Sequence, residues 1–266
     1  MIKLGVIGTG NMAGAILSGI VKSGLLQPAE ICVYDRDAAK VEHFAQLGMK
    51  ACQSAFEAAE CAKYLLLAVK PQNFEELLPQ ICDAVTEETV VVSIAAGISP
   101  AYIAQQFGKP TKVVQVMPNT PLLIGCGAVA ISRAEPTTDE EFAFAKALFE
   151  AAGVVEEIDN RLMNEIITVN GSSPAYIYRF AQVICDRAQE LGIDRECANR
   201  LFCQTLIGSA RMMLETGKSH QELIDMVTSP GGATFEGLRA MKEGDFETTM
   251  RNCYDATTKR AYELGK

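Results

Sequence analysis

The chain has 266 residues, with 24 Lys and Arg against 33 Asp and Glu, giving a net charge of −9 at neutral pH. Hydrophobic residues make up 48% and charged residues 21%, an ordinary globular balance that excludes a mainly disordered chain. The acidic balance argues against a nucleic-acid partner or an anionic membrane surface, and no run of about 18 uncharged apolar residues is present to span a bilayer. A chain of this length buries roughly three quarters of its unfolded surface and is expected to divide into two domains. Met1 runs straight into the strand-like Ile2-Lys3-Leu4-Gly5-Val6-Ile7, with no signal-peptide pattern. The nine cysteines are odd in number and form no Cys-x-x-Cys pair, so they read as small core residues of a reduced, cytoplasmic protein. No metal site is expected, because zinc takes clustered Cys and His, and the chain has only His43 and His220.

In chain order, short and nearly continuous apolar runs predict strands over residues 3–7, 30–34, 64–68, 90–94, 112–115 and 127–131. Helical patterns lie between them over 12–23, 38–47, 74–83 and 101–107. This alternation implies an α/β domain, a parallel sheet covered on both faces by helices. The character changes after Asp159, and residues 160–266 show helical periodicity with no convincing strand. Breaks fall at Gly171-Ser172-Ser173-Pro174, Leu191-Gly192-Ile193-Asp194, Thr216-Gly217-Lys218 and Ser229-Pro230-Gly231-Gly232, with Asp194 and Ser219 as expected N-caps. The division is therefore a Rossmann-type domain over 1–159 and an all-helical domain over 160–266. By fold-level analogy, so small a helical domain often completes its core with a second subunit.

Gly8-Thr9-Gly10-Asn11-Met12-Ala13-Gly14 follows the first strand and opens a helix, fitting G-x-G-x-x-(G/A) with Ala13 in the third slot. The first glycine allows a tight turn, and the second lets the backbone approach a pyrophosphate, whose charge meets free N–H groups at the helix N-terminus. The end of the second strand should meet the adenosine ribose. There Asp35, placed to accept from a 2′-hydroxyl, suggests NAD, and Arg36, placed to face a 2′-phosphate, suggests NADP. The other reading of Asp35 is a cap for the next helix. Val69-Lys70-Pro71 ends another strand, which points Lys70 at the ligand crevice unless it is simply solvated. Ala95-Ala96-Gly97 offers small residues for close cofactor approach. In Met117-Pro118-Asn119-Thr120-Pro121, Asn119 carries an amide suited to a nicotinamide or ribose, or the prolines simply fix a loop.

Reducing a carbonyl requires a proton donor for the nascent alkoxide, usually His, Lys or Tyr. His43 lies on a charged helical pattern and His220 opens another, so both read as surface residues. An imine is different: once protonated it is already an electrophile, and its reduction yields an amine. Such a substrate needs only a donor that orients the nitrogen. Ser229-Pro230-Gly231-Gly232-Ala233-Thr234 supplies one in principle, with a helix starting directly after two glycines and a hydroxyl on Thr234. A helix N-terminus of this kind suits a small carboxylate. The plainer reading is an interhelical turn with a Ser or Thr cap.

Over essentially its whole length the chain resembles pyrroline-5-carboxylate reductases. The resemblance is carried by Gly8-Thr9-Gly10-Asn11-Met12, Val69-Lys70-Pro71-Gln72, Ala95-Ala96-Gly97, Met117-Pro118-Asn119-Thr120-Pro121, Gly171-Ser172-Ser173-Pro174-Ala175-Tyr176 and Ser229-Pro230-Gly231-Gly232-Ala233-Thr234. It implies reduction of L-1-pyrroline-5-carboxylate to L-proline by NADPH or NADH. The dinucleotide would bind through Gly8, Gly10, Asn11, Met12, Val69, Lys70, Pro71 and Ala96, with Asn119 nearby. The helical domain would make a homodimer, and decamers built as rings of dimers occur in the family. Ser229 and the backbone at Gly232, Ala233 and Thr234 would bind the substrate carboxylate, and the Thr234 hydroxyl would hold the ring nitrogen. Ser173 and Ala233 depart from the commonest residues of the family. The more consequential departure is Asp35, which would meet a 2′-phosphate with like charge and so implies more NADH use than is usual. Three rival readings remain. A β-hydroxyacid dehydrogenase would need a catalytic Lys that Pro174-Ala175-Tyr176-Ile177-Tyr178-Arg179 lacks. A ferric or F420-dependent reductase shares only the nucleotide domain, and a dinucleotide sensor would bind NAD(P)H without turnover.

Overall fold

The structure, a computed structural model, describes residues 1–265. It divides into two compact units: Met1–Pro174 with the returning residues 256–265, and Ala175–Asp255. The division at residue 159 drawn from the sequence therefore differs from the division by contacts. The first unit continues to Pro174 and takes back the end of the chain.

The first unit is built on an eight-stranded sheet in the order β3-β2-β1-β4-β5-β6-β7-β8. The strands are β1 (Leu4–Ile7), β2 (Ile31–Tyr34), β3 (Lys50–Ala51), β4 (Tyr64–Leu67), β5 (Val90–Ser93), β6 (Lys112–Met117), β7 (Gly127–Ala134) and β8 (Gly153–Glu157). Strands β1 to β6 pair in parallel, and every residue of β1, β4 and β5 is buried, as expected for strands covered on both faces. Their side chains alternate between two cores. Leu4, Val6, Leu66, Val90, Val92 and Val114 pack with helices α1 (Asn11–Ser23), α2 (Ala38–Gln46) and α6 (Asp139–Glu150). Ile7, Leu65, Leu67, Val91 and Val113 pack with α3 (Ala55–Glu60), α4 (Phe74–Ile81) and α5 (Pro100–Phe107). Each fully buried Leu, Ile or Val contributes about 1.5–3 kcal/mol relative to an exposed one.

Strand β7 departs from the parallel sheet expected: it runs antiparallel to β6. The segment joining them holds only a 3₁₀ turn, Thr120–Ile124, and a connection without a crossover helix returns the chain alongside in the opposite direction. Strand β8 then pairs in parallel with β7.

Helices α7 (Ser173–Glu190), α8 (Arg195–Glu215), α9 (His220–Met226), α10 (Ala233–Glu243) and α11 (Phe246–Leu264) follow. Asp194 caps α8 by accepting from Cys197 N at 2.8 Å, and Ser219 caps α9 in a reciprocal box with Glu222. The break expected at Gly171-Ser172-Ser173-Pro174 is instead helical throughout. A π-helical turn, Ile167–Ser172, feeds directly into α7. Pro174 is the second residue of α7, and the i−4 carbonyl that its missing N–H leaves free, Asn170 O, accepts from Asn119 Nδ2 at 3.1 Å instead. In the second unit Cys185 alone among the described residues is buried, while Ile177, Tyr178, Phe180, Leu201, Ile207 and Leu214 are exposed. Among the described residues no helix is long and apolar enough to cross a membrane.

Candidate functional site

The glycine loop lies at the carboxyl end of β1, where it turns into α1. Gly8 has φ +94°, and a Cβ there would meet the Ala68 carbonyl oxygen at 2.7 Å, so only glycine fits. Its N–H donates to Tyr34 O at 2.8 Å, which ties the loop to β2. Gly10 occupies the N-cap position of α1 with no side-chain cap, and a Cβ on it would meet nothing within 4 Å. Asn11 is exposed beside it, and Met12 turns partly inward onto the core. The first N–H groups of α1 therefore face open space across a residue with no side chain. A pyrophosphate requires this arrangement, and the dinucleotide reading fits it.

Asp35 stands at the end of β2, half-buried. Its Oδ2 accepts from Thr9 N at 2.7 Å and from Thr9 Oγ1 at 3.2 Å, and its Oδ1 accepts from Asp37 N at 3.0 Å. Burial pushes the carboxyl up, but the Thr9 and Asp37 N–H groups and the Thr9 hydroxyl outweigh that and hold it below the ordinary aspartate value. The capping role considered for Asp35 belongs to Asp37, whose carboxylate accepts from Ala39 N at 3.1 Å. Asp35 thus clamps the glycine loop to β2. Thr9 and Lys40 were not singled out from the sequence. Thr9 carries a signal only once strands β1 and β2 are known to be neighbours.

A cleft of about 410 Å³ opens along these residues, with Gly8, Gly10, Val69 and Lys70 on its walls. Arg36, Lys40 and Lys70 line it against the single acid Asp35, a balance that suits a phosphate-bearing ligand. Arg36 is exposed and pairs with Glu76 at 2.6 Å. Lys70 is exposed at the N-cap of a short 3₁₀ turn whose first residue is Pro71. Ala96 is half-buried in the turn after β5, and the end of α11 lies against that turn: a Cβ on Gly97 would meet Ala261 O at 2.5 Å. The Tyr262 hydroxyl of the same helix donates to Glu165 Oε1 at 2.5 Å. Nothing in the helical periodicity of the chain end signals this return.

Asn119 is buried. Its Oδ1 accepts from Ala128 N at 2.9 Å and its Nδ2 donates to Asn170 O at 3.1 Å. Asn170 in turn donates through Nδ2 to Met117 O at 2.7 Å and Ala128 O at 3.0 Å. The two amides lock the end of β6, the start of β7 and the π-helical turn into one corner, so the Asn119 amide is engaged in holding the protein. His43 and His220 are both exposed.

The remaining site residues belong to the second unit. Gly232 is the N-cap of the eleven-residue α10, again with no side-chain cap, and its N–H donates to Ser229 O at 2.9 Å to close the turn. Gly231 takes the left-handed φ of +71°, so this turn needs glycine there. Ala233 and Thr234 are the first two residues of α10 and both are exposed, with Ser229 exposed beside them. The geometry is that of an anion-accepting helix N-terminus with a hydroxyl in its first turn.

Comparison with known proteins places these two units in one family. A family profile described as pyrroline-5-carboxylate reductase dimerisation matches residues 160–264, and one described as NADP oxidoreductase, coenzyme F420-dependent, matches residues 3–97. Pyrroline-5-carboxylate reductase of Escherichia coli is 36% identical over 265 residues, covering 99% of this chain and 98% of its own length. The Arabidopsis thaliana enzyme of the same name is 32% identical over 265 residues, covering 99% and 96%. Two solved structures each have a TM-score of 0.90 over the full chain. The Plasmodium falciparum pyrroline carboxylate reductase with NADP bound is 26% identical and 98% covered, and the Coxiella burnetii pyrroline-5-carboxylate reductase is 32% identical and 99% covered. With an uncapped glycine loop in one unit, an uncapped glycine turn in the other, and full-length relatives above 30% identity, this chain belongs to the pyrroline-5-carboxylate reductase family.

Proposed function

We propose that the chain catalyses the last step of proline biosynthesis, reduction of L-1-pyrroline-5-carboxylate to L-proline with NADPH or NADH as reductant. The observation that carries the reading is the turn at Ser229 to Gly232, which opens α10 with no side-chain cap and puts the Thr234 hydroxyl in the first helical turn. NAD(P)H, when bound, supplies the hydride. The cofactor is held by the N–H groups of Gly10, Asn11 and Met12 at the start of α1, with Val69, Lys70, Pro71 and Ala96 along its length and Asn119 fixing the corner beside them. Asp35 and Arg36 take the ribose end.

The chain's own part in the chemistry is binding and orientation. The N–H groups of Ala233 and Thr234 hold the substrate carboxylate, with Ser229 and Gly232 shaping the turn around it. The Thr234 hydroxyl hydrogen-bonds the ring nitrogen and fixes the face of the imine. The protonated imine is already electrophilic, so the absence of a buried histidine is no obstacle. Rate comes mainly from proximity and alignment. The working form is a homodimer through the helical unit, with decamers as rings of dimers, in the cytoplasm. The deciding experiment follows NADH and NADPH consumption side by side with pyrroline-5-carboxylate. Oxidation of either supports the assignment, and oxidation of neither overturns it.

A further inference from the structure

Four side chains in the first unit meet where β3, α3 and the start of β4 converge, away from every residue used above. Cys52 follows β3 and is buried. Glu57 lies on α3, and Cys61 is the C-cap of that helix; both are half-buried. The two sulfurs and a Glu57 carboxylate oxygen all lie within 4.8 Å of one another. A cation already sits among them. Lys50 Nζ is 2.8 Å from Glu57 Oε1 and 3.2 Å from Cys61 Sγ, and the ammonium reaches this point on an exposed, flexible stem. The other oxygen of Glu57 accepts from Gln53 N at 2.7 Å, which fixes the carboxylate's orientation.

We propose that Cys52, Glu57 and Cys61 form a binding site for a thiophilic divalent cation of the zinc class. The donor set is two soft sulfurs and one carboxylate, a mixture that zinc accepts. A tetrahedral ion about 2.3 Å from each sulfur sets its ligand atoms about 3.8 Å apart, so the donors stand within about 1 Å of the required spacing. Cys32, the neighbouring thiol, is fully buried and directed at Ala58 O at 3.7 Å. On binding, the two thiols release their protons to solvent and the Lys50 ammonium swings out. The spacing Cys-x₄-Glu-x₃-Cys matches no compact sequence motif, so the set is recognisable only after β3 and α3 are brought together. Neither the cofactor cleft nor the α10 turn takes part, so the site stands independently of the reductase reading.

Cobalt is the probe. The full-length protein, freed of metal with a chelator and kept reduced, is titrated with Co²⁺ and the thiolate-to-cobalt charge-transfer band is recorded. The expected result is an equimolar band in the wild type that is lost in both Cys61→Ser and Glu57→Gln and retained in Cys126→Ser and Cys203→Ser, two exposed cysteines elsewhere. Zinc should also raise the melting temperature of the wild type and leave that of Cys61→Ser unchanged. The two variants are checked for folding by circular dichroism. No charge-transfer band in the wild type, or a band retained in either Cys61→Ser or folded Glu57→Gln, overturns the site.

Discussion

Asp35 spends its charge on the protein itself, which changes what its removal should do. A carboxylate that mainly repelled a 2′-phosphate would, once removed, favour NADPH alone. A carboxylate that holds Thr9 in the glycine loop should, once removed, loosen the cradle for both dinucleotides. Asp35→Ala is therefore expected to raise KM for NADH and for NADPH together by roughly tenfold, the worth of about one charge-assisted hydrogen bond. Steady-state kinetics with both cofactors tests this, and a selective gain for NADPH would restore the simpler electrostatic reading. Because its carboxyl is held below the ordinary aspartate value, Asp35 stays ionised throughout the neutral range and adds no pH dependence there. Thr234→Ala is expected to lower kcat by roughly one to three orders of magnitude, the scale of removing one oriented donor. Thr234→Ser should restore most of it, and an unchanged rate in the alanine variant would remove Thr234 from the mechanism.

At the scale of elements, α6 depends on one buried carboxylate. Glu141 closes the capping box with Thr138 and pairs with Lys112 of β6 at 2.8 Å, and Lys63 also reaches it at 3.4 Å. Burial pushes Glu141 up, but Lys112 and the Thr138 N–H and hydroxyl pull harder and bring it down to about 2. A lowered carboxyl stabilises the fold at every pH above its unfolded value near 4.5. That stability is lost progressively as pH falls from there towards 2. Glu141→Gln leaves the half-buried Lys112 facing no charge and should cost about 2 kcal/mol at neutral pH, with a flatter acid limb, both measurable by urea unfolding across pH. The same helix shows where sequence reading stops. The run Phe142-Ala143-Phe144-Ala145 is four apolar residues in succession, which fits a short buried strand as well as a helix, so the pattern is ambiguous. Strand β3 has two residues, too few to give any period. Strand β8 is an edge strand, with two of its five residues charged. By contrast, β1, β4 and β5 lie wholly inside, and their apolar runs stand out plainly. The glycine loop and the α10 turn were legible because backbone geometry admits few residues there. The Asp35–Thr9 and Asn119–Asn170 links span 26 and 51 positions and became visible only with the fold.

The molecule as a whole pairs a well-buried first unit with a second whose described residues are nearly all accessible. Ile177, Phe180 and Ile184 follow one another at three- and four-residue steps along α7, an apolar stripe of the kind that marks an interface. Oligomerisation matches the dimerisation profile found over this region. Light scattering should return a mass of at least two chains, and the double substitution Ile177→Glu with Ile184→Glu should shift it towards a single chain. A monomeric wild type would disprove that use of the stripe. The two-unit division also has a consequence for biogenesis. The polypeptide leaves the first unit at Pro174 and rejoins it from Ala256, so in topology the helical unit is an insertion within the dinucleotide fold, not an appendage to its end. On the ribosome, the turn that carries Ala96 and Gly97 emerges long before its packing partner in α11. The nucleotide-binding unit must therefore wait for nearly the last residues of the chain before its final corner can close. Truncation from the C-terminus would accordingly damage the cofactor side of the enzyme, although the residues removed lie furthest from it in sequence.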